Sequence, residues 1–358
     1  MTGEPLAQSE ISYTPNASEP LLAVPVEPQP APPLLLLPEH AEGYRSSLQY
    51  LSGVATLTLL FFASASFTVA YLSPGGKIAS AASQKAAAAT AENFFDSISL
   101  LAEGAYVLDL TTNRVLYSKN ASAQLPLASL TKVPLVLAAS EGLDSGADIT
   151  IPPHTPPDGA GIRLPAGLRF TAQDLIGFTL AASSNEGAAI LAEAAEDALR
   201  IKYPLATPGS AVLWRMNDIA KNLGLSDMVF LNTHGLDQSD TRAGAFGSAH
   251  DVAALFAYAS QTAPATFGQT SRNTIKIRAA TGETVTATNT DEALPAIPGL
   301  IMGKTGYTAL AGGNLAIVFE VGPARPIVAV ILRSTKDGRF EDMKKIVAAT
   351  VAAISAGQ

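Results

Sequence analysis

Leu125-Pro-Leu-Ala-Ser129-Leu-Thr-Lys132-Val-Pro-Leu-Val-Leu-Ala-Ala-Ser140 is where a loop turns into an apolar helix, from about Ser129 to Ser140. What lies on either side of it decides the fold. Upstream, Ala105–Leu110 and Arg114–Ser118 alternate in polarity around Thr111-Thr-Asn113, which predicts a β-hairpin. Downstream, the chain reads mostly helical: Thr171-Ala-Gln-Asp174 and Ser248-Ala-His-Asp251 each open an amphipathic run with a capping pattern. Strand-like segments return at Gly299–Lys304, Asn314–Val321 and Ile327–Arg333, before a terminal helix Phe340–Ser355. Strands at both ends with helices between them predict an α/β (α+β) fold: an antiparallel sheet flanked by helices, with an inserted all-helical subdomain. The sheet is expected from residues 94–145 and 290–358, the insert from 146–289.

Ahead of this folded part the composition changes twice. Residues 1–47 hold nine of the 24 prolines, together with six Glu and one Arg, a net −5 of the total −8. Such a segment lacks donors and continuous apolar surface, and is expected to be a disordered Pro-rich tail. Between Arg45 and Lys77 there is no charge at all, and Leu51–Leu72 is long enough to cross a bilayer core of about 30 Å. Tyr50 and Tyr71 stand at its two ends, where amphipathic rings prefer the interface. A transmembrane helix is expected over 48–72, followed by an Ala-rich stalk over 73–93. The alternative is a cleaved signal peptide, since Ala63-Ser-Ala65 offers a small-residue site. Arg45 before the span and Lys77 and Lys85 after it leave the orientation to other arguments.

Composition also excludes classes of function. The acidic balance provides no basic footprint for nucleic acid. There is no cysteine, and the four histidines (His40, His154, His234, His250) show no close pairing, so no metal site is expected.

Three short motifs stand in order: Ser129-Leu-Thr-Lys132, Ser183-Ser-Asn185 and Lys304-Thr305-Gly306. Ser129 and Lys132, three residues apart at a helix start, share one face of the first turn. A serine hydroxyl needs a base to become nucleophilic, and a lysine kept neutral by burial or by a second cation can serve. Lys304 is a candidate for that second cation. Each motif also has a plain structural reading: Ser129 as a helix cap, Ser183–Asn185 as the cap of the run Glu186–Leu199, and Lys304–Gly306 as a strand end before the turn at Ala311-Gly-Gly313. A phosphate-binding loop at Gly299–Thr305 is excluded, because its glycines are separated by three residues where four are needed.

The ordered set resembles the serine D-alanyl-D-alanine carboxypeptidases among the low-molecular-weight penicillin-binding proteins, within the β-lactamase-like superfamily. The resemblance runs from about Ala105 to Phe319. It takes in Leu125–Lys132, Met216-Asn-Asp-Ile-Ala-Lys-Asn-Leu-Gly-Leu, Phe230-Leu-Asn-Thr-His-Gly-Leu and Gly303-Lys-Thr-Gly-Tyr-Thr-Ala-Leu-Ala-Gly. It implies that Ser129 attacks the carbonyl of the penultimate D-Ala while Lys132 accepts its proton. Ser183 and Lys304 would relay a proton to the departing amine, and Asn185 would hold the substrate amide. Lys304, Thr305 and Gly306 would line the binding site of the terminal carboxylate. Backbone N–H groups of Ser129 and Tyr307 would form the oxyanion hole. The implied substrates are peptidoglycan stem peptides, with β-lactam antibiotics as covalent inhibitors and no cofactor. The implied location is the cell membrane, single-pass, with the catalytic domain outside the cytoplasm and the Pro-rich tail over 1–47 cytoplasmic.

This sequence also departs from the family pattern. Glu186-Gly187 follows the middle motif where Asp-Ala is common, and Tyr307 stands where several relatives have His. Many relatives also carry a C-terminal β-domain and a membrane-binding helix, whereas here the expected anchor is at the other end. Three rivals share the motifs. One is a peptidoglycan endopeptidase, and another is a catalytically silent wall-binding module. The third is a class A-like β-lactamase, which needs a glutamate 30–40 residues past the middle motif; residues 215–225 contain none and read as helix.

Overall fold

The computed structural model describes residues 94–153 and 163–357. The chain forms the hairpin β1 (Gly104–Asp109) and β2 (Arg114–Lys119), the short β3 (Leu125–Pro126), a 3-10 turn (Ala128–Thr131) and helix α1 (Lys132–Ala139). The pair β4 (Asp148–Thr150) and β5 (Arg169–Thr171) precedes helices α2 (Ala172–Ala181), α3 (Asn185–Lys202) and α4 (Ala211–Asn222). Then come β6 (Val229–Phe230), β7 (Ala245–Gly247), α5 (Ala249–Thr262), α6 (Pro264–Phe267) and the hairpin β8 (Thr274–Arg278) and β9 (Thr284–Thr288). The chain closes with β10 (Leu300–Thr308), β11 (Gly312–Glu320), β12 (Pro326–Ser334) and α7 (Gly338–Ser355).

The main sheet joins both ends of the folded part in the order β10-β11-β12-β1-β2, every pair antiparallel. Its inner strands are apolar at nearly every position because both faces are covered. Leu315, Ile317 and Phe319 of β11 and Ile327, Ala329 and Ile331 of β12 meet Phe340, Met343 and Ile346 of α7. The alternate residues Ala316, Val318, Val328, Val330 and Leu332 face a second core that includes residues of α1, α2, α3 and α5. Each fully buried Leu, Ile or Phe contributes roughly 1.5–3 kcal/mol. Asp342 of α7, fully buried, fastens the incoming chain by accepting from the N–H groups of Leu101 (3.0 Å) and Ala102 (2.8 Å) and from Ser334 Oγ (2.8 Å).

The local signals act where the sequence puts them. Thr171 Oγ1 accepts from Asp174 N at 3.1 Å and Ser248 Oγ from Asp251 N at 3.2 Å, capping α2 and α5. Two expectations are corrected. The segment 146–289 is not all-helical: it carries the pairs β4–β5 and β8–β9, and β6–β7 with β3 makes a three-stranded sheet. These strands are two to five residues long, too short for alternation to stand out beside the helices. The helix expected from Ser129 begins as a 3-10 turn and becomes α-helical only at Lys132. The tail, span and stalk expected over 1–93 lie outside the described residues. Among the described residues no helix is long and apolar enough to cross a membrane.

Candidate active site

The 3-10 turn bearing Ser129 lies against β10, the edge strand of the main sheet. Two glycines permit this. A Cβ on Gly306 would come within 2.8 Å of Leu127 O, and one on Gly235, at φ +83°, within 2.0 Å of Ala128 O. Any side chain at either position would push the turn away. Inside the turn Ala128 takes a left-handed conformation (φ 49°), and Thr131 Oγ1 donates to Ala128 O at 2.7 Å. A non-glycine residue held there is strained by about 1–3 kcal/mol, which the surroundings must offset. The strain sits one residue before the serine.

Lys132, the first residue of α1, is fully buried. Its Nζ lies 2.8 Å from Ser129 Oγ, 2.7 Å from Asn185 Oδ1 and 2.9 Å from the carbonyl oxygen of His234. All three partners are uncharged. Burial therefore lowers the Lys132 pKa from 10.5 to about 7, which leaves a neutral amine accessible at ordinary pH.

The second motif joins α2 to α3. Ser184 caps α3, its Oγ accepting from Gly187 N at 3.0 Å, so the capping role read from the sequence is real. It falls to the middle residue and leaves its neighbours available. Ser183 is left-handed (φ 55°), and its Oγ is 2.8 Å from Lys304 Nζ. Lys304, also buried, donates to its neighbour's carbonyl, Thr305 O, at 2.8 Å. Its pKa is held well below the usual lysine range by burial and by the cations Lys132 and Arg339, with Asp291 opposing them. Thr305 Oγ1 pairs with Thr290 Oγ1 at 2.6 Å, and Arg339 donates to Gly306 O at 2.8 Å.

Ser129, Lys132 and Asn185 are thus joined by hydrogen bonds, Ser183 pairs with Lys304, and the two groups are near enough for Lys132 to depress the Lys304 pKa, with Thr305 and Gly306 following on the same strand. Tyr307 is half exposed at the end of this row, its ring 5.7 Å from Lys336 Nζ. The departure at Glu186-Gly187 has a packing account. A Cβ at 187 would meet Thr179 Oγ1 at 2.3 Å, so Thr179 of α2 occupies the space that an alanine would need. Glu186 reaches out to accept from Leu164 N at 2.9 Å.

Sequence reasoning assigned no role to several residues that shape this cluster. Asn232 accepts from His234 N (3.3 Å) and Gly235 N (2.7 Å), fixing the turn that aims the His234 carbonyl at Lys132. The Phe230–Leu236 segment was visible as a motif, but a backbone carbonyl leaves no mark on side-chain identity. Thr290, Asp291 and Arg339 lie far along the chain from any motif. Arg339 stands just before the expected terminal helix, and nothing in its residue type announces its burial. Among the described residues no group of three or more His, Asp or Glu could hold a metal ion.

The model of the D-alanyl-D-alanine carboxypeptidase family matches residues 85–335. The chain is 29% identical over 255 residues to the D-alanyl-D-alanine carboxypeptidase DacF of Bacillus subtilis, covering 68% of this chain and 61% of that protein. It therefore spans about three-fifths of that relative's length. The cefotaxime-bound crystal structure of penicillin-binding protein D2 from Listeria monocytogenes has the same fold, with a TM-score of 0.59 at 24% identity over 70% of this chain and 98% of that one. A D-alanyl-D-alanine carboxypeptidase structure from Mycobacterium tuberculosis gives a TM-score of 0.61 at 24% identity, over 71% of this chain and 92% of that one. The matched segment holds all three motifs and every strand of the main sheet, so this chain belongs to the D-alanyl-D-alanine carboxypeptidase family.

Proposed function

We propose that the protein is a serine-type D-Ala-D-Ala carboxypeptidase that removes the terminal D-Ala from peptidoglycan stem peptides through an acyl-enzyme. The observation that carries this reading is the buried, electrically unpartnered Lys132, whose Nζ is 2.8 Å from Ser129 Oγ. A neutral amine at that distance takes the hydroxyl proton as Ser129 Oγ forms its bond to the penultimate D-Ala carbonyl carbon. Charge developing on the carbonyl oxygen would be met by the N–H groups of Ser129 and Tyr307. The C–N bond then breaks, and the departing amine takes the proton that Lys132 accepted, relayed through Ser183 beside Lys304, which returns Lys132 to its neutral form. Water, deprotonated in turn by Lys132, hydrolyses the Ser129 ester and restores the enzyme. Lys304 and Thr305 would receive the terminal carboxylate, and Asn185 the substrate amide.

A β-lactam enters by the same first step, and its ring-opened acyl group has no leaving D-Ala to make way for water. Residues 215–225, at the distance past the middle motif where a β-lactamase carries its water-activating glutamate, contain no Glu, which favours slow deacylation over β-lactamase turnover. The test is labelling of the purified chain with a fluorescent penicillin, followed by release of D-Ala from a stem pentapeptide. Ser129→Ala is expected to abolish both while leaving the fold intact. Labelling without D-Ala release would point to the endopeptidase or silent-module reading, and undiminished labelling of Ser129→Ala would remove Ser129 from its role.

The uncharged gap before Lys77 and a substrate outside the cytoplasm together support a single-pass anchor with residues 78–358 outside. Protease added to spheroplasts should digest the catalytic part and spare an N-terminal tag; the reverse pattern would overturn the orientation.

A further inference from the structure

The hairpin β8–β9 pairs in register, so that Thr274 stands opposite Thr288, Lys276 opposite Thr286 and Arg278 opposite Thr284, and all six residues are exposed. The alternate residues Ile275, Ile277 and Ala287 are buried in the core that also holds α2, which fixes the outward row on a rigid base. Arg272, extended and exposed just before β8, continues the same side of the strand. The outer face therefore has one column with three cations and a second column of threonine alone. Glu283, in the turn, is the one acid between Arg272 and Thr290, so this segment has a net charge of +2 in a chain of net −8. A carboxylate across from Lys276 or Arg278 would have stabilised the hairpin. Threonine stands there instead, and none of the three cations makes an ion pair with a described residue.

The face is continuous with the catalytic cluster. Thr288 is two residues from Thr290, roughly 7 Å of extended chain. Thr290 Oγ1 pairs with Thr305 Oγ1 at 2.6 Å, and Thr290 N donates to Ala181 O at 3.0 Å, two residues before Ser183. From Arg272 to Arg278 the cationic column runs about 20 Å, longer than a single carboxylate or sugar needs. The chemistry of the substrate supplies an occupant of that length. A stem peptide ending in D-Ala-D-Ala carries a terminal carboxylate, and the trimmed stem carries a new one. A polymer bearing many stems thus presents further carboxylates beside the stem being cut. Its sugars present hydroxyls, with which a threonine hydroxyl can both donate and accept.

Resting on the reaction proposed above, we infer that the outer face of β8–β9 is a binding surface for neighbouring segments of the peptidoglycan polymer. Arg272, Lys276 and Arg278 meet stem carboxylates, and the threonine column meets sugar hydroxyls. Each exposed contact is weak and screened by salt, so the surface acts by making several at once. It touches no reacting atom. It should therefore lower KM for polymeric substrate, leave kcat nearly unchanged and be indifferent to a free stem peptide.

The experiment uses the purified full chain and the variant Arg272→Gln/Lys276→Gln/Arg278→Gln, whose changed side chains are all exposed. Co-sedimentation with insoluble peptidoglycan should fall about three- to tenfold in the variant, and about 0.5 M salt should bring wild type down to the same level. D-Ala release should show a raised KM on the polymer and unchanged kinetics on a free stem pentapeptide. Equal binding and equal kinetics on the polymer would overturn the surface. An equal loss on the free pentapeptide would also overturn it, since the hairpin would then only support the site. Binding to phosphatidylglycerol vesicles is measured in parallel; a charge-dependent loss there with polymer binding intact would assign the face to lipid and overturn the inference. Charge-dependent polymer binding without D-Ala release from either substrate would fault the proposed reaction and leave the binding surface standing.

Discussion

Lys132 and Lys304 are both buried, and each holds a serine oxygen at 2.8 Å, yet they stand on opposite sides of the site. Lys132 heads a helix of the apolar helical core and meets only neutral partners, so burial alone accounts for its lowered pKa. Lys304 sits on the edge strand among charges: Lys132 and Arg339 push it down, and Asp291 lifts it. The difference separates two tasks. A base needs a place where its charge is costly throughout. An anion-binding group needs a place where charge is costly until an anion arrives, after which the pair stabilises itself. In this reading Lys132 is built for the first task and Lys304 for the second.

Replacing each lysine by arginine should break the symmetry most clearly. Lys132→Arg fixes a proton where the base must be neutral, so penicillin acylation should fall by about 10³-fold, within the usual range of a lost general base. Lys304→Arg keeps a cation that can pair with a carboxylate, so its loss should be smaller, about 10- to 100-fold, and expressed largely in KM. Stopped-flow acylation rates for both variants check this. Equal losses would mean that the two lysines are not divided in this way.

The pH profile sharpens the same comparison. Lys132 must be neutral to accept the Ser129 proton, so acylation should rise with pH through an apparent value near 7, where the amine loses its proton. Asp291 is buried, and burial raises its pKa to about 6, so above that value it is an anion that favours charge on Lys304. Asp291→Asn should weaken binding of peptides with a free terminal carboxylate severalfold at pH 7.5, while the limb near 7 stays in place. Movement of that limb together with carboxylate binding would show that the lysines titrate as one unit.

How far the sequence carried the fold depended on how local each signal was. The hairpin β1–β2 and strands β10 to β12 were legible because their apolar runs are bounded by turn residues such as Asn113 and Gly312. Ser184 and Thr171 were legible as caps because a cap is defined within four residues. The pairs β4–β5 and β6–β7 were not, because strands of two or three residues are created by their partners across the fold. The site divides in the same way. Ser129 and Lys132 meet through three residues of chain, and Ser183 meets Lys304 across 121. The His234 carbonyl, Thr290 and Arg339 entered only through folding. They are a backbone atom, a hydroxyl and a guanidinium whose types are ordinary at any surface, and only their burial against the cluster gives them meaning.

The smallest effect concerns stability and separates burial from charge. A lysine whose pKa falls from 10.5 to about 7 on folding binds fewer protons folded than unfolded between those values. Stability should therefore rise with pH across that window, and the full cost should be present below about pH 7. That shift sets an upper bound of about 5 kcal/mol, which relaxation and water penetration reduce. Lys132→Met fills a similar volume without the charge. It leaves the His234 carbonyl and Asn185 Oδ1 short of a donor, at about 1–3 kcal/mol. At pH 6 the variant should be the more stable by about 1 kcal/mol, or about 2–4 °C in Tm. Toward pH 10 the wild-type lysine no longer bears the cost of a buried charge while the unpaired acceptors remain, so the order should reverse. Thermal unfolding of both proteins from pH 6 to pH 10 measures the difference. A difference independent of pH would mean that Lys132 keeps its proton when buried, and would remove the physical basis for treating it as the base.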